Sequence, residues 1–577
     1  MEQVPLKKIL VLDGQELSTL SIVRSLGRQA LTVTVAAESD SAIAFHSKYA
    51  QHTHTYTNPL THPEQFVADI VALVKAQEYA LVIPVTELTS LPLAQARDAI
   101  EAYTTLAVAP NAALSRVTNK AETFKIADEV GVPTPKGVEV TSCAQLETLS
   151  KTLAYPVVLK PTRSIADIQG DVRAAQKVQY AMNPEELIEL GTKMLACEHV
   201  MLQTFFRGVG VGIELLAEHG NILIAFQHER MHELPLTGGG SCLRKSVVVD
   251  PQLLDYSKRL IQELDWHGVA MVEYKHNPTE GTACLMEING RFWGSLPLAS
   301  FSGVNFPYAL YQLLVLKQQP TQPEIKIGTI ARNMQKDLYW YLQVIFRRDK
   351  HPLIQWPSYT KILRDWFLVF SPKHHIDAFA RDDMKPGWVE IKRTLSWFFQ
   401  SVQEFAQKRA LKYRCQLKKK WGMARRRIKR SEHILFLCYG NINRSAIAEK
   451  LLEQAGYPGQ ITSAGFHPVS ARPADPTMVD VAQRAGVDMQ HWASRTVDQK
   501  MVDAADTIFV MEVQQLMTFA SQYPKAKHKV MLLSMVDASS NFPLDIADPY
   551  GKCTENYETC FNLVQQATQE IIQLSKS

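Results

Sequence analysis

The sequence predicts a multidomain α/β protein with two regions of parallel sheet separated by a helical segment. The chain has 577 residues, more than a single hydrophobic core normally supports. Its composition, 46% hydrophobic and 21% charged, is that of ordinary globular domains. Short β-rich runs alternate with helical periodicity near both ends of the chain, and this alternation is typical of parallel sheets.

The first α/β region covers residues 1–115 and is predicted to form one subdomain. Its strands and helices are predicted at 8–13, 17–28, 31–36, 63–76 and 81–85. No G-x-G-x-x-G motif follows the first strand, so the sequence does not support a dinucleotide site there.

Residues 116–320 show a different pattern and are predicted to form a mixed α+β subdomain. Gly131 followed by two prolines is a helix stop. Two β-rich runs flank a turn that contains Asn277, Pro278 and Gly281, which predicts an antiparallel hairpin. The predicted elements are a helix at 119–130 and strands at 156–160, 269–275 and 282–289.

Residues 321–431 are predicted to form a helical linker, and the β/α alternation restarts in a domain at 432–577. Within the linker, residues 408–430 hold twelve Lys and Arg and no Asp or Glu. Three interpretations stay open for this basic segment. It can be a solvated helical spacer, a contact for an anionic membrane surface, or a nucleic-acid contact, and the last is disfavoured because no base-reading motif accompanies it.

The predicted location is the cytoplasm, with peripheral contact at the inner membrane surface if the basic segment binds lipid. The apolar run before Asp13 has no small-residue cleavage site, so it predicts a first strand and not a signal peptide. The eight cysteines have no metal-ligand spacing, and the chain is not a small disulfide scaffold. No run approaches the roughly 18 apolar residues of a membrane span.

In the C-terminal domain, a cysteine and an arginine bracket five residues between a buried strand and a helix. The strand ends at Cys438, the loop ends at Arg444, and the apolar stripe of the helix begins at Ile447. Backbone N–H groups at a helix N-terminus favour a bound anion and a thiolate. A guanidinium binds two phosphate oxygens at once. The loop therefore combines a nucleophile with an anion cradle, unless it is a buried cysteine beside a surface arginine.

The segment from Cys438 to Ser445, CYGNINRS, resembles the low-molecular-weight protein-tyrosine-phosphatase family, and the resemblance extends over residues 432–577. The further matches are Ser463-Ala464-Gly465, Ser494-Arg495 and Asp548-Pro549-Tyr550. The resemblance implies that Cys438 attacks phosphorus, Arg444 binds the phosphate and Ser445 helps to stabilise the thiolate. It also implies that Asn441 braces the loop and that Asp548 protonates the leaving phenol.

Two departures from the family pattern bear on this domain. Many members have a second cysteine where this chain has Asn443, so a protective disulfide with Cys438 inside the loop is impossible. Mammalian members have two adjacent tyrosines after the Asp-Pro pair, whereas Tyr550 here precedes a glycine. The aromatic wall is thinner, as in bacterial members, and the substrate preference stays open. Asp545, close to the expected acid, is interpreted as a turn residue.

In the N-terminal region, oxygen-bearing side chains fall on both strands of the predicted hairpin. Glu287 and Asn289 share one face of the second strand, and Glu273 lies on the first. Two carboxylates and an amide oxygen suit a hard cation such as Mg²⁺. A solvated strand face gives the same alternation, so the pattern alone leaves both interpretations open.

Candidate phosphate binders accompany these side chains. Lys120 lies near a helix start, Lys160 ends an apolar strand, and Arg291 follows the hairpin. The segment Gly238-Gly239-Gly240 is a flexible loop that can close over phosphates. Each feature alone has an ordinary structural explanation as a surface charge or a turn.

The order of these features along residues 1–320 resembles the ATP-grasp superfamily, near the carbamoyl-phosphate-synthase and carboxylate–amine ligase branch. The resemblance implies that ATP phosphates bind Lys120 and Lys160, and that Mg²⁺ binds the three hairpin residues. It also implies that the backbone around Gln203–Phe206 lines the adenine pocket, although Phe205 and Phe206 can equally be core residues.

The sequence thus predicts a bifunctional protein, a ligase-like ATP-grasp region and a phosphotyrosine phosphatase. Such ligases convert a carboxylate to an acyl phosphate that an amine or thiol then attacks. The expected partners are a phosphotyrosine protein and a small carboxylate and amine of unknown identity. Arg244 and Lys245 are candidate carboxylate binders or plain surface charges. The alternative function is a nucleotide-sensing ATP-grasp module that regulates the phosphatase.

Overall fold

A computed structural model of the protein forms two compact units, Met1–Ser396 and Trp397–Ser577. The described residues are 8–162, 165–168, 171–174, 178–195, 199–346, 352–537, 539, 541–552 and 554–576, with backbone alone for 165–168 and 171–174.

The first layer of the N-terminal unit is a parallel five-stranded sheet of order β3-β2-β1-β4-β5. Its elements are β1 (Lys8–Val11), α1 (Leu17–Arg28), β2 (Thr32–Ala37), β3 (Ala50–Thr55), α2 (Pro63–Ala76), β4 (Leu81–Ile83), α3 (Glu87–Gln95), α4 (Arg97–Glu101) and β5 (Thr105–Leu106). The predicted parallel α/β sheet is confirmed, and the helices α1 and α2 have the predicted bounds. Leu20, Val23 and Leu26 of α1 are fully buried, because the helix packs its apolar stripe on the sheet.

The second layer is a small antiparallel sheet of order β10-β7-β11-β6 with a separate hairpin, β8–β9. Its elements are α5 (Asn111–Thr118), α6 (Lys120–Glu129), β6 (Gly137–Val140), α7 (Cys143–Ser150), β7 (Val157–Pro161), β8 (Ile165–Ile168), β9 (Asp171–Ala174), β10 (Gln179–Ala181), α8 (Pro184–Leu195) and β11 (Val200–Thr204). The side chain of Asn119 caps α6 by accepting from the N–H groups of Ala121 and Glu122, which fixes the position of Lys120 at the first turn.

The third layer is a seven-stranded sheet of order β16-β15-β12-β13-β14-β17-β18. Its elements are β12 (Val209–Glu218), β13 (Asn221–Leu234), β14 (Gly240–Val247), α9 (Pro251–Glu263), β15 (Gly268–Asn277), β16 (Thr282–Asn289), α10 (Leu296–Phe301), α11 (Phe306–Leu314), β17 (Ile330–Arg332), α12 (Met334–Phe346), α13 (Tyr359–Phe367), a 3₁₀ turn at Leu368–Phe370 and β18 (His374–Ile376). The predicted β15–β16 hairpin is confirmed as antiparallel.

The large sheet takes its last two strands from the segment that the sequence analysis assigns to the linker. β17 pairs with β14, and β18 pairs with β17 in parallel, so residues 321–396 belong to the N-terminal unit. Strands of three residues show no readable periodicity, and only their pairing in the folded chain identifies them.

The C-terminal unit has a parallel sheet of order β20-β19-β21-β22, as predicted. The helix α14 (Lys385–Lys420) leads into this unit. The unit then contains α15 (Met423–Ile428), β19 (His433–Cys438), α16 (Arg444–Gln454), β20 (Gln460–Gly465), α17 (Pro476–Arg484), α18 (Gln499–Ala504), β21 (Thr507–Val510), α19 (Val513–Gln522), β22 (Val530–Leu532) and α20 (Thr554–Ser575). Helices and strands alternate around one buried core.

The basic segment 408–430 is partly built into this core. Cys415, Ala424 and Ile428 are buried there, and Leu411 packs against them. Lys412 pairs with Asp545 at 2.9 Å. The cations therefore project from helices that are anchored on the core of the C-terminal unit. Among the described residues, no helix combines the length and hydropathy that crossing a membrane requires.

Candidate active sites

The loop between β19 and α16 places two hydrogen-bond donors on the sulfur of Cys438. The backbone N–H of Asn441 lies 3.2 Å from Sγ, and the hydroxyl of Ser445 donates to Sγ at 3.0 Å. Asn441 adopts a positive φ of 53°, a conformation that asparagine tolerates better than most residues. Because Cys438 ends a strand whose six residues are all buried, its Cα position is fixed by the sheet.

The side chain of Asn441 connects this loop to two neighbouring segments. Its Nδ2 donates to Ser445 Oγ at 3.0 Å and to Ser463 Oγ at 2.8 Å. Its Oδ1 accepts from the backbone N–H of Arg495 at 2.8 Å. The Ser463 and Arg495 motifs of the sequence analysis therefore meet at this amide. The indole N–H of Trp492 also donates to the Asn441 carbonyl at 2.7 Å, a contact that the sequence analysis missed.

Gly465 is required by the close approach of β20 to the loop. A Cβ atom at this position would lie 2.6 Å from the carbonyl oxygen of Tyr439 and 2.9 Å from the amide nitrogen of Asn441. Both atoms belong to backbone, which cannot move aside without changing the cradle. A side chain at position 465 would therefore distort the loop.

Arg444 is buried and lies among three negatively charged or electronegative groups. Its Nη2 contacts Asp548 Oδ2 at 2.5 Å, and its Nη1 lies 3.3 Å from Glu512 and donates to the Ile546 carbonyl at 3.0 Å. Burial acts to lower the pKa of Arg444, but the charges of Cys438, Asp548 and Glu512 raise it on balance. Its Nε has no hydrogen-bond partner among the described residues, and a phosphate oxygen could supply one.

The two candidate aspartates have different surroundings. The side chain of Asp548 is 39% exposed and contacts Arg444, so a substrate can reach it. Asp545 Oδ1 instead accepts from the backbone N–H of Val513 at 2.7 Å, at the start of α19. Asp545 therefore has a structural contact, as a turn residue would. Glu512 has no sequence signal that marks it, because a lone glutamate after a strand is common.

In the N-terminal unit, the β15–β16 register brings the three candidate metal ligands together. Glu273 pairs with Glu287 across the hairpin, and Asn289 is opposite Met271. Asn289 Nδ2 lies 3.1 Å from Glu273 Oε1 and 3.3 Å from Glu287 Oε1. A 180° flip of this amide would instead direct its oxygen toward the two carboxylates. The two orientations of an amide have nearly the same shape, so both fit the site.

This donor set fits Mg²⁺. Within the described ranges, no group of three or more His, Cys, Asp or Glu side chains is clustered for metal binding. Two carboxylates and an amide oxygen nevertheless supply the hard donors that Mg²⁺ takes, and Mg²⁺ usually completes its shell with water and phosphate.

Lys120 and Lys160 lie close enough to Glu287 to change its ionisation. Burial acts to raise the pKa of Glu287, but the charges of Lys120 and Lys160 lower it overall. Burial lowers the pKa of Lys160 to about 8, against the attraction of Glu287. Lys120 donates its backbone N–H to the Thr162 carbonyl at 3.0 Å, just beyond β7, which carries Lys160. The structure thus brings together both predicted lysines and a predicted metal ligand.

Arg230 is a further residue of this site that the sequence analysis missed. It forms an ion pair with Glu273, and its Nη1 donates to the carbonyl of Gly239 at 2.9 Å. It therefore ties the glycine loop, which includes Gly238 and Gly240, to the hairpin. An arginine on a strand is usually a surface charge, and only the folded structure shows that the side chain of Arg230 is 10% exposed.

The predicted adenine segment borders a cavity of about 710 Å³. Phe205, Phe206 and Gly238 line it, together with Arg230. Gln203, 3% exposed, has both amide atoms without a hydrogen-bond partner among the described residues. Buried amides are normally paired, so this amide is a candidate for a contact with a bound ligand. Phe205 and Phe206 are half-buried and line the cavity.

Arg291 and Arg244 have different surroundings. Arg291 lies 3.4 Å from Glu87 and lines a small cleft with Lys120 and Glu287. Arg244 is 1% exposed and pairs with the buried Asp377 at 2.7 Å, so its interpretation as a surface charge is wrong. Its charge is neutralised inside the large sheet, and this contact does not favour a carboxylate-binding role.

Comparison with known proteins agrees with the division of the chain. Residues 433–576 match the family model of the low molecular weight phosphotyrosine protein phosphatases. The low molecular weight protein-tyrosine-phosphatase Etp of Escherichia coli is 34% identical over 138 residues, which are 24% of this chain and 90% of Etp. The probable phosphatase EpsP of Ralstonia nicotianae is 34% identical over 134 residues, 23% of this chain and 88% of EpsP.

Residues 196–336 match the family model described as ATP-grasp in the biosynthetic pathway with Ter operon. The crystal structure of an L-amino acid ligase from Bacillus licheniformis is 19% identical with a TM-score of 0.42, covering 54% of this chain and 74% of that chain. The chain therefore belongs, through its C-terminal unit, to the low molecular weight protein-tyrosine-phosphatase family, and that unit is fused to an N-terminal ATP-grasp region.

Proposed function

We propose that the C-terminal unit hydrolyses phosphotyrosine in a protein substrate through a cysteinyl-phosphate intermediate. The observation that carries this proposal is the position of Cys438 Sγ, which accepts hydrogen bonds from Asn441 and Ser445 inside the loop that ends at Arg444. A nucleophile, an anion cradle and a cation share one loop, which is what attack on a phosphoryl group requires.

In the first step, Sγ of Cys438 attacks phosphorus while Arg444 binds two equatorial oxygens. The bond from phosphorus to the tyrosine oxygen breaks, and Asp548 gives its proton to that oxygen. In the second step, water attacks the phosphocysteine, and Asp548 takes the proton of the water. Phosphate leaves and the thiolate is restored. The 39% exposure of Asp548 gives both the phenol and the water access to it.

The intermediate can be tested by rapid acid quench of the full chain with an aryl phosphate. Mass analysis of the digest should find one phosphate on the peptide that contains Cys438. Phosphate found on any other peptide, or on none during steady turnover, would contradict the proposed step.

We further propose that the ATP-grasp region binds Mg·ATP and ligates a small carboxylate to an amine. Lys120 and Lys160 would hold phosphate oxygens, and the Glu273, Glu287 and Asn289 oxygens would hold Mg²⁺. When bound, Mg·ATP supplies the phosphoryl group that activates the carboxylate as an acyl phosphate. Arg230 would keep the glycine loop against the hairpin through its contact with Gly239.

Release of ADP separates this proposal from the nucleotide-sensor alternative. The purified 577-residue chain is incubated with ATP, Mg²⁺ and pools of carboxylates and amines. Ligation requires ADP release that depends on both pools. If no ADP is released with either pool or with both, and ATP binding changes the rate of aryl-phosphate hydrolysis, the nucleotide-sensor alternative is supported.

A further inference from the structure

Large apolar side chains are exposed along α13 and the 3₁₀ turn that follows it. The five residues that we call the α13 face are 50% to 78% exposed, and they are Tyr359, Leu363, Trp366, Phe367 and Phe370. Their spacing places them on one side of the helix, since residues three, four and seven apart share a face. Ile362 and Asp365 on the opposite side are buried.

This arrangement is unusual for a surface helix. The inward side carries a buried acid, and the outward side carries the aromatic residues. Large clusters of exposed apolar side chains mark surfaces that bind a partner or a membrane. Removal of such side chains from water is favourable, in proportion to the apolar area that is buried. Binding to the α13 face would therefore be most favourable for a partner that offers an apolar environment.

The charges beside the α13 face are positive. Arg364 is 70% exposed, and Lys373 is exposed as well. Asp365 is the only acid between residues 352 and 376, and its side chain is fully buried. Burial acts to raise its pKa, but hydrogen bonds from His232 and Lys361 hold the pKa of Asp365 well below its usual range. Asp365 also lies 3.3 Å from Arg364, so it offsets part of the positive charge of Lys361 and Arg364. With Lys373, three Lys and Arg stand against this one acid in residues 352–376, so the rim is cationic on balance.

We propose that the α13 face binds the surface of an anionic lipid bilayer. Aromatic side chains suit the boundary between headgroups and acyl chains, and exposed Lys and Arg attract anionic headgroups. A second copy of the chain fits less well, because a two-fold contact places the same patch on itself and would bring the cationic rim against itself. This inference is independent of either proposed catalytic activity.

The test compares two variants of the full chain by co-sedimentation with vesicles. Leu363→Ser, Phe367→Ser and Phe370→Ser together remove much of the α13 face. The control replaces Tyr103 and Val248, exposed apolar residues of the same unit, with serine. With vesicles that contain one-third phosphatidylserine, we expect at least a tenfold loss of binding in the triple variant and no change in the control. Aryl-phosphate hydrolysis should be equal in all three proteins.

Equal binding by the triple variant and the wild type would overturn the proposal. Equal binding of the wild type to pure phosphatidylcholine vesicles would overturn its electrostatic part. A wild-type dimer that the triple variant converts to monomers, without vesicle binding, would assign the face to a second copy and would also overturn it.

A separate inference concerns Tyr557, which links the loop of the proposed acid to the catalytic loop. Tyr557 is 2% exposed, and its hydroxyl donates to Asp475 Oδ2 at 2.9 Å while accepting from the Gly551 N–H at 3.0 Å. Burial raises the pKa of Tyr557, so the hydroxyl keeps the proton that it donates. Gly551 has a φ of +67°, which favours glycine.

Asp475 completes the connection. Its backbone N–H donates to the carbonyl of Ile442, in the catalytic loop, at 3.2 Å. Its Oδ1 accepts from the Thr477 N–H and caps α17. A hydrogen-bonded path thus runs from the cysteine loop through Asp475 and Tyr557 to Gly551, three residues after Asp548.

We infer that Tyr557 is a positioning residue that sets the distance between Asp548 and the leaving oxygen. This inference rests on the proposed role of Asp548 as general acid. Tyr557→Phe removes the hydroxyl and keeps the ring. It should lower kcat for phosphotyrosine about tenfold, change kcat for an activated aryl phosphate by less than about threefold, and leave KM nearly unchanged.

The matched control is Tyr523→Phe, which removes the hydrogen bond from the hydroxyl of a half-buried tyrosine in the same unit to the Val497 carbonyl, at 3.3 Å. It should alter neither rate. Equal losses on both substrates in Tyr557→Phe would show a merely structural role and overturn the inference. If Asp548→Asn itself does not distinguish the two substrates, the proposed acid fails. If Asp548→Asn does and Tyr557→Phe does not, only the positioning inference fails.

Discussion

The two sites differ in how far apart their residues lie along the chain. In the phosphatase unit, Cys438, Asn441, Arg444 and Ser445 fall within one loop and the first turn of one helix. In the ATP-grasp region, the candidates extend from residue 120 to residue 291 and lie on two different sheets. A site inside one loop depends on local geometry, whereas a site between sheets depends on strand register and on how the layers pack.

The cations of the two sites also differ. The charges around Arg444 raise its pKa, so it stays charged at all physiological pH values. Burial brings the pKa of Lys160 to about 8, so it loses its charge just above neutral pH. The contrast predicts a phosphate clamp that does not titrate in one unit and one that does in the other.

The largest expected effect is that of Cys438→Ser, which tests whether the loop holds the whole phosphatase chemistry. Serine lacks a thiolate, so aryl-phosphate hydrolysis should fall by more than about 10⁴-fold. Inorganic phosphate should still bind, since the cradle is unchanged. Steady-state assay and calorimetry measure the two properties. Residual turnover well above background would mean that the nucleophile lies elsewhere.

A smaller effect is expected for Asp548→Asn. A tyrosine phenolate has a conjugate acid of pKa near 10 and leaves poorly without a proton. Hydrolysis of phosphotyrosine should therefore fall by about 10²–10⁴-fold, and hydrolysis of an activated aryl phosphate much less. The alkaline limb of the pH–rate profile should flatten. Asp545→Asn is the control and should change neither rate. Equal losses on both substrates would make Asp548 structural.

Lys160→Ala or Glu287→Ala tests the ATP-grasp site, whose residues are far apart along the chain. Loss of a charged contact to phosphate or to Mg²⁺ should weaken Mg·ATP binding by about 10–100-fold. Lys245→Ala is the control, because Lys245 is half-exposed and pairs with Glu229 at 2.9 Å. Calorimetry measures the affinities, and the phosphatase rate should be unchanged in all three. If both site variants bind ATP with the affinity of the wild type, ATP does not bind at Lys160 and Glu287.

The pH dependence of nucleotide binding sharpens the comparison of the two cations. The pKa of Lys160, about 8, is below the usual lysine value, so its charge is present below pH 8 and lost above it. Raising the pH from 7 to 9 should therefore weaken ATP binding by about tenfold. Lys160→Arg should flatten this dependence. An unchanged slope in that variant would assign the titration to another group.

The smallest expected effect concerns the basic segment 408–430. Substitutions there should change neither the phosphatase rate nor the affinity for ATP. Lys418 is exposed, whereas Lys412 on the same helix pairs with Asp545. Lys418→Gln should weaken binding to phosphatidylserine vesicles by about fivefold, since one surface cation contributes about 1 kcal/mol. Lys412→Gln should have less effect, because its charge is already compensated. Equal effects, or none at any salt concentration, would favour a solvated spacer.

The site residues that are readable from the sequence are those that lie close together along the chain. The cysteine loop, its helix and the Asp-Pro-Tyr motif are legible because contiguous residues fix their mutual geometry. The hairpin with Glu273, Glu287 and Asn289 was also predictable, because alternation along two short strands determines which side chains share a face. Arg230, Glu512 and Tyr557 were not found, since each makes its contact across a large separation in the chain.

The sequence by itself determined the two families, the strand and helix pattern at both ends, and the residues of the cysteine loop. The tertiary structure alone decided that residues 330–332 and 374–376 extend the large sheet, that Arg244 is buried against Asp377, and that aromatic residues of α13 face outward. The physical reason is the range of the interaction. Helix periodicity and loop chemistry are written in neighbouring residues, whereas strand pairing and burial depend on partners that only the folded chain brings within contact.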